Sequence, residues 1–566
     1  MKKNDSRMAF GTSVTSSTKS GADQVYTDVQ VEVVPNMTVS RRPGGIGRAA
    51  LSWLRPVLAA VILAAASNAA GVNSSDDIQT SLKTFTKVFE VVEANYADEV
   101  KPEKVIYEGA IPGMLRTLDP HSNFFDPKEL ERFRENQRGN YFGVGMLVGY
   151  RNGHVTVQYP FAGSPAKKAG LRPADEIFMV NDKKTDRASV EDVVALLKGP
   201  RGTPVQIAVR REGRDKLVTF HLVRDQVERP SVPTAVWIRP GIAYVHIESF
   251  NENTSREFEA ELKKLGEDKI EGLVLDLRDN PGGILQEAVA VSERFLERGQ
   301  AIVSQRGRIS TERAYTGRRG NAGRKYPIVV MVSRGSASAA EIVTGALQDH
   351  DRAWVFGENT FGKGLVQAPY PLSGDCSLLL TIARFYTPSG RLIQRDYSHG
   401  TFFEYYYQKN TATRNMRDQK ATDSGRVVYG GGGISPDEKY ETPKLDRAQI
   451  QLLGRGAFFY FTAKYFGPRD AIVPDGWDVD DGVMSQFQAF LKEKKIPVSD
   501  EEFARDKEWI RRQLKLEMLT TAVGKERSDE VAVVSDPEIL KAADSLPKAR
   551  ALLEKSHRMI AERKKR

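Results

Sequence analysis

Between Ile242 and Leu347, short apolar runs alternate with amphipathic helical stretches, and that rhythm leaves few folds open. Ile242 to Ile247, Gly272 to Leu277 and Ile328 to Val332 read as strands. Ser255 to Leu265, Ile284 to Glu297 and Ala339 to Leu347 read as the helices between and after them. Such alternation builds a mostly parallel sheet with crossover helices. Ligand sites in these sheets lie beyond the carboxyl ends of the strands. Two loops take that position: Arg278-Asp279-Asn280-Pro281-Gly282-Gly283 and Gly335-Ser336-Ala337-Ser338.

The flanking regions differ in character. Residues 1–50 are polar, rich in Ser, Thr and Gly, and without periodicity, the composition of a disordered leader. An apolar run follows, Pro56 to Ala66, with Arg41, Arg42, Arg48 and Arg55 before it and Asp76 and Asp77 after it. Positive charge on the leading side keeps the N-terminus cytoplasmic and sends the rest across a membrane. The run is shorter than the roughly 20 apolar residues of a full span. Residues 51–72 are therefore expected to be a signal peptide or a membrane anchor, and the protein to be exported to the periplasm or cell envelope. From Ile78 a helical stripe runs through Leu82, Phe85, Phe89 and Val92. A second helical stretch, divided at Pro112, ends near Leu118 at the turn Asp119-Pro120-His121-Ser122. Residues 138–226 carry six short strands and two helices, with Arg151-Asn152-Gly153 as a hairpin turn. Beyond residue 445 the chain is charged and helical, with an aromatic cluster at Phe458-Phe459-Tyr460-Phe461 that reads as a packed core or docking face.

The chemistry centres on Ser338 and Lys363. Ser338 stands at the mouth of a helix, and Lys363 between Gly362 and Gly364. A serine hydroxyl is a poor nucleophile until a base takes its proton. His246 and His350 are the histidines placed in this region, and no aspartate stands out to orient either. A lysine serves instead if its pKa falls from about 10.4 to about 7–8, a bias of roughly 4 kcal/mol toward the neutral amine. Burial supplies that bias by desolvation, and Phe361, Leu365 and Val366 surround Lys363 in sequence. Gln367, four residues on, shares a face with Lys363 on an extended segment. The N–H of Ala339 at the helix start, and Gly282 and Gly283 with backbone unshielded by side chains, are candidate donors to an oxyanion. Gly357 to Lys363 also matches P-loop spacing, but Gly364 stands where Ser or Thr must bind magnesium and no helix can follow, which excludes nucleotide binding.

Taken together these segments resemble the C-terminal processing peptidases, or tail-specific proteases, over about residues 80–440. The resemblance rests on Asp119-Pro120-His121-Ser122, Gly143-Val144-Gly145, Ser164-Pro165-Ala166 through Ala169-Gly170-Leu171, Leu275 to Gly283, Gly335 to Ala339, Thr360 to Gly364, and Tyr386 to Arg391. It implies that Ser338 is the nucleophile, Lys363 the general base and Gln367 its support. It also implies a multi-domain α/β chain: a crotonase-like α/β peptidase core with an inserted PDZ domain and helical N- and C-terminal regions. The expected division is a helical N-terminal region at 74–137, a PDZ domain at 138–226, a serine peptidase core at 227–444 and a helical region at 445–566. PDZ domains add a peptide as an extra strand and hold its terminal carboxylate on backbone N–H groups, here in the loop Tyr141-Phe142-Gly143-Val144-Gly145. The Tyr397–Asp423 segment and the C-terminal 120 residues depart from the shorter family members.

The expected activity is endoproteolysis near or at a protein's C-terminus, with no metal or organic cofactor. Expected partners are proteins or peptides with free C-termini. A regulatory adaptor protein, membrane anchoring and a homo-oligomer are compatible with the sequence, the C-terminal helices being the candidate assembly surface. A net charge of +9 over 566 residues, much of it at the chain ends, does not make a nucleic-acid-binding patch. Cys376 is the only cysteine, so no intramolecular disulfide or zinc-type cysteine spacing exists.

Overall fold

The computed structural model describes residues 74–566 apart from 310, 399–401, 408–414, 468, 475 and 566. The apolar run expected to be a signal or anchor lies outside the described residues. Among the described residues, no helix is long and apolar enough to cross a membrane. The chain forms two compact units, one of residues 127–369 and 381–566, the other of 370–380 with the described residues up to 126.

The larger unit is built on the expected sheet. Its strands run in the order Thr234–Arg239, Ile242–His246, Gly272–Asp276, Ile328–Val332, Trp354–Gly357 and Glu438–Lys439. Every neighbouring pair is parallel except the first, in which Thr234–Arg239 runs antiparallel at the edge. The two central strands are buried along their whole length, which is why they read as unbroken apolar runs. The period of two divides them. Leu273, Leu275, Ile328, Val330 and Val332 face one core with Phe258, Val291 and Val343 of the helices Thr254–Leu265, Leu285–Ser292 and Ala339–Asp349. Val274, Val329 and Met331 face the other, where Val533, Ile539, Ala542, Leu546 and Ala549 pack. Residues 533–549 of the expected assembly surface are thus spent on this parallel sheet itself.

A second sheet pairs Ala301–Arg306 with Arg313–Thr316 and with residues 384–386. The alternation did not include it. Residues 402–407 of the departing segment form a short helix, and Asn415–Ala421 pairs with Val427–Gly430.

Residues 146–223 form an antiparallel sheet in the order Met146–Arg151, His154–Pro160, Glu176–Val180, Pro204–Arg210, Val218–Val223, with Lys183–Lys184 against Glu176–Val180. Met146–Arg151 is an edge strand, and the helix Val190–Leu197 packs beside it. The C-terminal helices have their own aromatic core, with Phe458, Phe461, Phe487 and Phe490 buried together. They also meet the 146–223 sheet: the Arg151 guanidinium lies 4.9 Å from the Phe459 ring, and Arg172 donates to the Arg469 carbonyl at 3.1 Å.

In the smaller unit Pro112 lies just inside the helix Ile111–Arg116, directly after a π-helical turn at Lys104–Ala110. The Asp119 carboxylate accepts from the N–H groups of His121 and Ser122, which makes the turn the sequence marks. The stripe of the helix Ser74–Asn95 is on its surface, Ile78 and Leu82 being more than half exposed.

Candidate active site

Ser338 ends the loop after Ile328–Val332 and caps the helix Ala339–Asp349. Its backbone is strained, with φ 59° and ψ −112°. A non-glycine residue held there costs on the order of 1–3 kcal/mol and persists only where its surroundings over-determine it. The surroundings are two loops fastened together. The Ser336 hydroxyl donates to the Leu277 carbonyl at 2.6 Å, and the Ala337 N–H donates to the Asn280 carbonyl at 2.8 Å. The Ser333 hydroxyl donates to the Asp279 carboxylate at 2.8 Å, and Asn280, fully buried, donates its amide to the Ile247 carbonyl at 2.7 Å. Gly282 sits against the serine so closely that a Cβ there would lie 2.7 Å from Ser338 Cβ and 3.0 Å from the Ala339 nitrogen.

One carboxylate gathers the rest. Glu341 is fully buried on the first turn of the serine helix. Its Oε2 accepts from the Ser338 N–H at 2.8 Å and from the Lys363 N–H at 2.8 Å. Its Oε1 accepts from the Gly362 N–H at 2.7 Å and the Thr360 hydroxyl at 2.5 Å. The backbone nitrogens of Ser338 and Lys363 are therefore no further apart than twice that 2.8 Å bond. Burial pushes the Glu341 carboxyl up from its ordinary range, although the Thr360 hydroxyl and the three N–H donors pull against it. The lysine segment is clamped from the other side: a Cβ at Gly364 would lie 2.4 Å from the Gln394 nitrogen. Lys363 is 6% exposed, and Gln367, on the strand Leu365–Pro371, is wholly buried.

The Ser338 Oγ is buried and has no hydrogen-bond partner among the described residues, so serine and lysine side chains are not bonded to each other here. Of the expected oxyanion donors, Gly282 gives its N–H to Asn280 Oδ1 at 2.8 Å. The N–H groups of Ala339 and Gly283 make no hydrogen bond with described residues. A cavity of about 120 Å³ opens against Pro281, Gly282 and Gly283, with Phe133, Gln137 and Phe250 among its walls.

The histidines lie elsewhere. His350 caps the far end of the serine helix, its Nδ1 2.8 Å from Asp423 and its Nε2 2.7 Å from the Ala301 carbonyl. The aspartate that sequence did not single out thus exists, 73 positions away, on the departing segment. His246 ends the strand Ile242–His246.

In the expected carboxylate loop, Tyr141, Phe142 and Gly143 belong to a strand, Asn140–Gly143, paired with Asp225–Glu228. Val144 and Gly145 make the turn into the edge strand Met146–Arg151. Gly145 has φ 77°, and a Cβ there would lie 2.3 Å from Ser164 Cβ, so only glycine fits. Tyr141 lies beneath the Lys198 ammonium, 4.8 Å from the ring centroid, and burial raises its phenol to about 12.

Sequence reasoning missed Glu341, although Ser338-Ala339-Ala340-Glu341 has the Ser-x-x-Glu spacing that places a glutamate against the N-cap backbone. It also missed Asp276, whose carboxylate takes Arg278 through Nε and Nη2 at 2.9 and 2.6 Å, while Arg278 Nη1 reaches Glu538 at 2.9 Å. Burial pushes the Asp276 carboxyl up, but the charge and hydrogen bonds of Arg278 outweigh it and hold the group below its usual range.

Segments of this chain are similar to known proteins. The model of peptidase family S41 matches residues 241–400, a PDZ domain model residues 156–211, and the N-terminal domain of the activating protease CtpB residues 57–129. The carboxy-terminal-processing protease of Bartonella bacilliformis is 38% identical over 327 residues, 57% of this chain and 74% of that one. The carboxy-terminal processing protease CtpB of Bacillus subtilis is 33% identical over 312 residues, 55% of this chain and 65% of that one. Among solved structures, the photosystem II D1 C-terminal processing protease aligns at 27% identity and a TM-score of 0.34, covering 65% of this chain and 90% of that one.

Proposed function

We propose, from the premise that this chain belongs to the carboxy-terminal-processing proteases of peptidase family S41, that Ser338 and Lys363 form its catalytic dyad. The observation that carries this reading is Glu341. A single buried carboxylate binds the backbones of both residues while the serine hydroxyl is left unspent. Burial of Lys363 favours its neutral form, the form a general base needs. The neutral amine takes the Ser338 proton, and the hydroxyl oxygen attacks a peptide carbonyl. The N–H groups of Ala339 and Gly283 receive the developing oxyanion. Gly282 joins them only if its bond to Asn280 opens. Lys363 then gives its proton to the leaving amine and activates the water that clears the acyl-enzyme. Gln367 keeps the lysine segment in place.

Capture of the substrate tail falls to the 146–223 sheet. A free edge strand beside a helix supports pairing with an extended peptide, and the Val144–Gly145 turn supports holding its terminal carboxylate. The arginines before the apolar run at Pro56 to Ala66 support export to the cell envelope.

The test uses an unstructured protein substrate with a free or an amidated C-terminus. Wild-type enzyme is expected to cut both, with a higher KM for the amidated form. Lys363→Ala is expected to lose at least about 10³-fold in kcat while still binding the free tail. Full turnover by that variant removes the lysine from the mechanism. Binding without cutting by the wild type would mark a scaffold instead.

A further inference from the structure

On the same unit, the turn after Leu285–Ser292, the loop 319–325 and the last helix, Leu546–Lys565, enclose a cavity of about 410 Å³. Its wall is basic: Arg298, Arg319, Lys325 and Arg352 line it, and Glu297 is the one carboxylate among the lining residues. Arg324 lines it too but is neutralised by Glu259 and Glu267. The side chains of Arg298, Arg319 and Lys325 make no ion pair or hydrogen bond among the described residues.

Arg352 forms the buried part of the wall, at 6% exposure. Its Nε donates to the Phe295 carbonyl at 3.1 Å, its Nη1 to the Tyr326 carbonyl at 3.1 Å and its Nη2 to the Arg324 carbonyl at 3.2 Å. Three carbonyls orient a guanidinium without cancelling its charge. Arginine stays protonated in proteins, and buried charges are ordinarily paired. Each terminal nitrogen of Arg352 keeps a second N–H for a ligand.

The geometry points to a binding site in this cavity for a phosphate-type oxyanion. Four cations against one carboxylate suit a doubly charged group better than a single carboxylate, and guanidinium forks match phosphate oxygens in pairs. The cavity lies within the size range of small-ligand sites. Two sources offer that chemistry: a free phosphate or phosphorylated solute, and the headgroup of an anionic phospholipid. The occupant would join the loop 319–325 to Leu553, Ser556 and His557 of the last helix, whose earlier turns pack on the peptidase sheet.

The experiment has two arms. In the first, thermal unfolding of the whole protein is followed with inorganic phosphate against chloride at matched ionic strength. Wild type is expected to rise by about 2 °C or more at saturation. The double variant Arg319→Ala/Lys325→Ala, which removes no hydrogen bond seen among the described residues, is expected to lose the rise. Lys263→Ala/Lys264→Ala, on the helix Thr254–Leu265, is expected to keep it. In the second arm, co-sedimentation compares vesicles of phosphatidylcholine with vesicles that also contain phosphatidylglycerol. A phosphate effect lost in the double variant establishes the site for a free solute. Binding to phosphatidylglycerol vesicles lost in that variant establishes it for a headgroup. If neither response depends on Arg319 and Lys325, there is no oxyanion site here.

Discussion

The two ends of the helix Ala339–Asp349 carry opposite answers to one problem. At its start is a strained serine whose hydroxyl is unspent and whose neighbours are a buried glutamate and a buried lysine. At its end are a histidine and an aspartate 2.8 Å apart, the helper pair a serine enzyme ordinarily uses. Twelve residues at 1.5 Å rise put about 18 Å between Ser338 and His350. Proximity decides, and a well-formed His–Asp pair out of reach of the hydroxyl is structure. His350 bonds the Ala301 carbonyl and Asp423 and so ties the strand Ala301–Arg306 and the departing segment to the helix end. The buried pair Asp349–Arg391, at 2.7 Å, does similar work beside it.

The comparison breaks most sharply if the wrong end matters for rate. Ser338→Ala is expected to lower kcat by at least about 10⁴-fold, and His350→Ala by less than about threefold once the protein is folded. Single-turnover cleavage of one peptide by both variants checks this. A large loss in His350→Ala with normal unfolding behaviour would return histidine to the chemistry.

Glu341 sharpens the same contrast from inside the serine end. A glutamine there keeps one acceptor oxygen, while its NH₂ faces N–H groups that need an acceptor. With the amide donor at the Oε2 position, it opposes the donors of Ser338 and Lys363. Glu341→Gln is expected to lose about 10²-fold in kcat, with KM and tail binding little changed, since a misplacement of about 1 Å costs that much. Labelling of Ser338 by a serine-directed probe should slow in parallel. Equal labelling and turnover would mean that the carboxylate only fills space.

How legible this was follows from which interactions are local. The parallel core was readable because Gly272–Asp276 and Ile328–Val332 are buried on both faces, and such strands are apolar throughout. The edge strand Thr234–Arg239 was not readable, because Ala235 and Trp237 meet one core and Val236 and Ile238 the other, which leaves no polar–apolar alternation, and its pairing shifts register between Trp237 and Arg239. Ser338 and Lys363 stand out by position and Gln367 by the family resemblance, but what joins Ser338 to Lys363 does not. Glu341 looks like an ordinary helix-start glutamate until the loop 360–363 folds back onto it. The Asp423–His350 and Arg278–Glu538 contacts span 73 and 260 positions, and no local pattern encodes them. The same holds for the back of the peptidase sheet. Leu546 and Ala549 carry the pattern of any amphipathic helix, and only the fold names the surface they cover.

The gentlest test lies at the histidine end and concerns stability. Burial pulls the His350 pKa down, but the hydrogen bond to Asp423, the Ala301 carbonyl and the nearby carboxylate charges outweigh it, so the folded value stands above 6.5. A raised folded pKa means that the folded state holds the proton more tightly than the unfolded chain does. That contribution is complete below the unfolded value and is lost as pH rises through the folded one. The midpoint difference between wild type and His350→Asn should therefore be largest in mildly acid solution and shrink as pH climbs past 6.5. The effect is small because Asp423 is 37% exposed and its charge is screened. Catalysis should not follow the same curve. If kcat and the stability difference titrated together, the two ends of the helix would be coupled, and the division of labour between them would fail.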